Sequence, residues 1–100
     1  MKELPLVTVI MPVRNEGAYM ARSLLAVLDQ DYPDDLLEVI VADGMSTDGT
    51  RQLVRSLQAR HSNLPLIDNT GQIVPMGLNA AIPQARGKII IRVDGHTIVE

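Results

Sequence analysis

Apolar positions along this chain follow two alternating rhythms. Four short runs, Val7 to Met11, Leu37 to Ala42, Leu64 to Ile67 and Lys88 to Val93, are rich in Val, Ile and Leu. The first is almost continuously apolar, the pattern of a central parallel strand covered on both faces. Between the runs the spacing becomes helical. Tyr19, Met20, Leu24, Val27 and Leu28 share one helical face, with Asn15 or Glu16 near its start and Tyr32-Pro33 closing it. Leu53, Val54 and Leu57 form the buried stripe of a second helix, which opens at Ser46-Thr47-Asp48-Gly49-Thr50 and ends at His61-Ser62-Asn63. Pro75 suits a first helical position, and Met76, Asn79, Ala80 and Ile82 continue that third helix until Pro83 and Gly87 break it. Strands and helices alternating in this order predict an α/β fold, a parallel sheet with right-handed crossovers.

Three of the strands run into a polar loop that carries a carboxylate. Pro12-Val13-Arg14-Asn15-Glu16 follows the first, Asp43-Gly44 ends the second and Asp94-Gly95-His96 ends the fourth. Ligands of open α/β sheets sit beyond the carboxyl ends of the strands, so these three ends can converge on one small molecule. Asp43 either accepts the ring N–H of a base or the hydroxyls of a ribose, with Gly44 allowing close backbone approach, or it caps the next helix. Asn15 and Glu16 carry the same alternative between cap and crevice. Ser46, Thr47, Asp48 and Thr50 read as capping oxygens. A carboxylate and an imidazole two residues apart, Asp94 and His96, can hold one divalent cation, but that spacing alone is not specific. Arg92 reads as an exposed cation beside an acid, and His61 as a solvated helix end.

Composition narrows the function classes. At 100 residues the chain is one domain at most, and 46% hydrophobic against 21% charged residues is globular usage. The net charge is −3 and the nine basic residues are scattered, which argues against nucleic acid as a partner. Without cysteine there is neither a disulfide framework nor a thiolate metal site. No run approaches the roughly 20 apolar residues of a membrane span, and no signal-peptide segment opens the chain, so a soluble, cytoplasmic location is expected. Gly71-Gln72 belongs to neither a P-loop nor a G-x-G-x-x-G fingerprint, which weakens kinase and dehydrogenase readings.

Taken together, Val7 to Glu16, Glu38 to Thr50, Gly77-Leu78-Asn79-Ala80-Ala81 and Arg92 to His96 resemble glycosyltransferase family 2 in order and spacing, over essentially the whole chain. The Asp-Gly-His ending further resembles the branch that builds succinoglycan-like exopolysaccharides. The resemblance implies the amino-terminal half of an A-type glycosyltransferase fold, with a Rossmann-like sheet in the order 3-2-1-4. It also implies a nucleotide-diphosphate sugar donor, a UDP-sugar by preference, and Mn²⁺ or Mg²⁺. By position, Pro12, Arg14 and Glu16 would line the nucleoside pocket, Asp43 would face the base, Asp94 would contact the ribose or metal-bound diphosphate, and Asp94 with His96 would hold the metal.

Two positions depart from the family's pattern. Arg14 stands where an aromatic residue is usual, so guanidinium packing replaces base stacking, and His96 replaces the second acid of the D-x-D element. The expected protein is a donor-binding half-domain over residues 1–100 of an inverting glycosyltransferase that acts on a glycan or lipid-linked acceptor. The catalytic base is expected beyond Glu100, so this part alone should be inactive, and the full-length protein could work at the cytoplasmic face of the membrane. A sugar-nucleotidyltransferase is the enzymatic alternative, although Pro12 to Glu16 lacks the glycine- and Arg/Lys-rich loop it needs. A non-catalytic nucleotide-binding or assembly module is the other. In the order 3-2-1-4 the fourth strand is an apolar edge, which predicts self-association.

Overall fold

A four-stranded parallel sheet in the order β3-β2-β1-β4 organises the protein, matching the order expected from the resemblance. The computed structural model describes residues 4–15, 17–72 and 74–93. Its elements are β1 (Val7–Val13), α1 (Gly17–Leu28), β2 (Leu37–Asp43), α2 (Thr50–Gln58), β3 (Leu66–Asp68), α3 (Val74–Ala81) and β4 (Ile89–Arg92). One-turn 3-10 segments, Asp34–Leu36 and Ile82–Gln84, precede β2 and follow α3.

Alternation along the central strands divides the core between two faces. Val9, Met11 and Val13 of β1 with Val39 and Val41 of β2 pack against Met20, Leu24 and Val27 of α1 and Val54 of α2. Ile10, Ile40 and Ala42 point the other way, toward Leu78 and Ala81 of α3. Asp43 continues the odd-numbered series and so lies on the α1/α2 face, whereas Pro12 continues the even-numbered series toward α3. Leu53 and Leu57 pack only partly buried beside Val54, as the stripe of the second helix predicts. Tyr19 departs from its expected role: it is exposed, and Met20 takes the buried position. Met76 and Ile82 of the third helical segment are exposed as well.

Strand boundaries differ from the sequence pattern for identifiable reasons. β1 runs on through Pro12 and Val13, paired with Ala42 and Asp43. Residues of a parallel strand address their neighbours alternately, and the Leu6 and Ile10 carbonyls both accept from the β4 side, at Lys88 and Val93. Pro12 therefore turns its missing N–H away from β2, and the proline costs no bond of the β1–β2 ladder. β3 begins at Leu66 rather than Leu64 because Pro65 contributes only a carbonyl, which accepts the Val41 N–H at 3.0 Å. β4 pairs with β1 alone among the described residues, and Ile89, Ile90 and Ile91 are each 45% exposed.

Candidate functional site

The loops after β1 and β2 are stitched to each other at the carboxyl end of the sheet. Asn15 adopts φ 49°, a left-handed conformation that asparagine tolerates better than most residues. Its N–H donates to the Ser46 hydroxyl at 2.9 Å, and its side-chain oxygen accepts the Thr47 N–H at 2.8 Å. The Gly44 N–H donates to the Val13 carbonyl at 2.8 Å. A Cβ on Gly44 would come within 3.2 Å of both the Arg14 Cβ and the Gln72 carbonyl, so glycine lets three loops meet here.

Asp43 is the buried anchor of this assembly. It has no exposed surface, and its Oδ2 accepts the Ser46 N–H at 3.0 Å and Nη1 of Arg51 at 2.8 Å. The Ser46 hydroxyl donates to Oδ1. Arg51, in the first turn of α2, extends Nη2 to Oδ1 of Asp68 at 2.6 Å. Hydrogen bonds to Asp43 and then Asp68 raise the guanidinium pKa above its ordinary value.

Asp48 closes the turn that leads into α2, whose N-cap is Gly49. The Asp48 carboxylate accepts the Thr50 N–H at 3.0 Å and the Thr50 hydroxyl, and it also reaches the Gly17 N–H at 3.4 Å, at the start of α1. The Thr50 hydroxyl, followed by these backbone donors, holds the Asp48 carboxyl below the usual carboxylate range. Gly49 between them takes φ 95°, which a side chain would strain. Of the expected capping oxygens, only Asp48 accepts an N–H of the first turn of α2, that of Thr50; the Thr50 hydroxyl donates to Asp48 instead, and the N-cap itself is Gly49. Ser46 instead joins Asn15 to Asp43, and Asp43 itself serves the loop and Arg51 rather than the N–H groups of α2.

Of the residues singled out in the sequence, Pro12, Arg14 and Asp43 gather at the ends of β1 and β2, with Arg14 exposed on the rim and Pro12 buried. Glu16, Asp94 and His96 lie outside the described residues. Among those described, no group of three or more His, Asp or Glu side chains could hold a metal ion. β4 runs parallel to β1 and directs the chain toward the same end, with the Val93 N–H on the Ile10 carbonyl at 3.0 Å. Arg51 and Asp68 carried no local sequence signal: an arginine on an amphipathic helix and an aspartate in a polar loop both look solvated.

A separate cavity of about 640 Å³ opens at the opposite, amino end of the sheet, between Leu6, Asp34, Glu38, His61, Asn63 and Arg86. It is remote from the stitched loops. His61, expected to be solvated, lines it half-buried.

The sequence profile described as glycosyl transferase family 2 matches residues 8–100. The chain belongs to that family. Among its curated relatives, glycosyltransferase AglE of Haloferax volcanii is 39% identical over 92% of this chain and 31% of its own length. The succinoglycan biosynthesis protein ExoA of Rhizobium meliloti is 30% identical over 88% of this chain and 27% of its own. Solved family-2-like folds superpose closely. The mannosyltransferase PcManGT from Pyrobaculum calidifontis, in complex with GDP-Man and Mn²⁺, gives a TM-score of 0.85 at 39% identity, over 92% of this chain and 28% of that one. S. aureus TarS 1-349 with UDP-GlcNAc gives 0.79 at 32% identity, over 90% and 26%. The chain therefore spans about 30% of the relatives it matches. No described helix is long and apolar enough to cross a membrane.

Proposed function

We propose that residues 1–100 form the donor-nucleotide half-domain of an inverting glycosyltransferase. The whole enzyme moves a sugar from a nucleotide-diphosphate sugar to a glycan or lipid-linked acceptor in polysaccharide synthesis. The observation that carries this reading is the tied pair of loops at the carboxyl ends of β1 and β2, in a chain of family 2. Hydrogen bonds within the protein hold this rim, which lowers the ordering cost of binding.

In this reading Pro12, Arg14 and Glu16 line the nucleoside pocket. The exposed Arg14 guanidinium packs on the base where relatives of this type use an aromatic ring. Asp43 secures the base side of the pocket, and Asp94 takes the ribose or diphosphate. The donor is a uridine or guanosine nucleotide, because TarS and PcManGT were solved with UDP-GlcNAc and GDP-Man and both bases offer a ring N–H to a carboxylate. Asp94 and His96 hold a divalent cation, which when bound neutralises charge on the departing nucleoside diphosphate.

Calorimetric titration of UDP and GDP, with Mn²⁺ or with a chelator, tests the assignment. Binding strengthened by Mn²⁺ is the expected result. Failure of both nucleotides to bind would sink it, and binding indifferent to metal would favour the non-catalytic module.

A further inference from the structure

We infer that Asp68, aimed by Arg51, is a second carboxylate that reads the hydrogen-bonding edge of the nucleobase. This rests on the donor-nucleotide assignment above. β2 and β3 are parallel, and Asp43 and Asp68 are register partners, so their side chains leave the sheet on the same face. Arg51 rises from α2 on that face and grips both, with Nη1 on Asp43 at 2.8 Å and Nη2 on Asp68 at 2.6 Å.

The two acids are not equivalent. Asp43 is wholly buried and accepts three hydrogen bonds, from the Ser46 N–H, the Ser46 hydroxyl and Arg51. Asp68 is 55% exposed, Arg51 engages it through Oδ1, and a second carboxylate oxygen remains as an acceptor on this half-exposed side chain. One guanidinium between two carboxylates leaves the trio with a net negative charge. Held through one oxygen, Asp68 cannot swing freely, so little rotamer freedom remains to be lost when a ligand binds.

An ionised carboxylate only accepts hydrogen bonds. It matches the ring N–H of uracil or guanine and opposes the ring acceptor that cytosine presents in the same place. The clamp therefore works as a base filter. Asp43 fixes Arg51, and Arg51 fixes the angle at which Asp68 meets the base. Arg51 is a positioning residue here, and Asp68 a binding residue.

Titration of UDP, GDP, CDP and inorganic pyrophosphate against the wild-type chain, Asp68→Asn and Arg51→Lys tests the proposal. The wild type should prefer UDP or GDP over CDP by about ten-fold or more, the scale of one hydrogen bond gained against one acceptor left facing another. Asp68→Asn should bring that ratio toward one while pyrophosphate affinity and melting temperature stay unchanged. Arg51→Lys, which supplies charge without the two-handed geometry, should lower the ratio part-way. A wild type that prefers UDP or GDP together with an Asp68→Asn variant that keeps the preference overturns the inference alone. Equal losses for all four ligands in Asp68→Asn also overturn it, by assigning Asp68 to the fold. A wild type that binds none of the nucleotides defeats the donor assignment itself.

Discussion

The Thr8 hydroxyl donates to the Glu38 carboxylate at 3.0 Å across paired strands, and the same hydroxyl oxygen accepts the Gly87 N–H at 2.9 Å. Glu38 also accepts the Arg86 N–H at 3.1 Å and Arg86 Nε at 3.0 Å. A buried acid thereby ties the starts of β1 and β2 to the segment that leads into β4.

That junction predicts an acid-sensitive contribution to stability. Burial pushes the Glu38 pKa up, but the bonds from Arg86 and Thr8 outweigh it and hold the carboxyl below its reference value of 4.5. A depressed folded pKa means stability that is complete above the unfolded pKa and lost as pH falls through the folded one. Glu38→Gln turns an amide N–H₂ toward donors, and should cost about 1–3 kcal/mol at neutral pH. Urea denaturation should show the difference from wild type closing below pH 4.5. A gap constant down to pH 3 would separate the carboxylate from the acid response.

Asn15 is expected to matter for two separable reasons. Asn15→Gly keeps the left-handed backbone easy but loses the acceptor for the Thr47 N–H, whereas Asn15→Ala also adds strain of about 1–2 kcal/mol. The expected stability order is wild type, then Asn15→Gly, then Asn15→Ala, with faster hydrogen exchange at the Thr47 amide in both variants. Equal denaturation midpoints would show that the loops hold together without this residue.

Asp43→Ala leaves a Ser46 N–H and one arm of Arg51 without their acceptor. The expected cost is about 1–3 kcal/mol of stability, with nucleotide affinity reduced roughly five- to a hundred-fold. Calorimetry that finds the affinity intact would limit Asp43 to holding the loop.

For the cation, Asp94→Ala and His96→Ala should each remove the part of UDP affinity that Mn²⁺ adds, leaving the affinity measured in chelator unchanged. Persistence of the full Mn²⁺ effect in both variants would place the ligands elsewhere.

Among the described residues β4 is an edge strand, which makes an assembly prediction. Ile89, Ile90 and Ile91 are exposed on the two faces of this strand, with Lys88 and Arg92 as flanking charges, so the chain should self-associate with rising concentration. Ile90→Lys should suppress this in light scattering. A strict monomer at high concentration would show that the edge is protected.

The backbone frame was legible because its causes are local. β-branched runs and helical spacing located all seven main elements, and the order 3-2-1-4 followed once the motif blocks were read together. What stayed hidden was tertiary. Pro12 looks like a strand terminator until its missing N–H is seen to face away from β2. Tyr19 and Met20 are adjacent apolar residues on one helix, and only docking decides which is buried. The Asp43–Arg51–Asp68 clamp joins residues 8 and 17 positions apart through the angle between a helix and two strands, which no periodicity encodes.

The stitching of Asn15 to Ser46 and Thr47 also governs how this protein can change. Two hydrogen bonds span a separation of 31 and 32 residues, and each depends on both loops keeping their present reach. Lengthening either loop by one residue would carry its partner groups out of range, so an insertion after β1 is tolerated only with a matching adjustment after β2. The two connections are therefore a single heritable unit, and a graft that transplants one loop from a relative should carry the other with it.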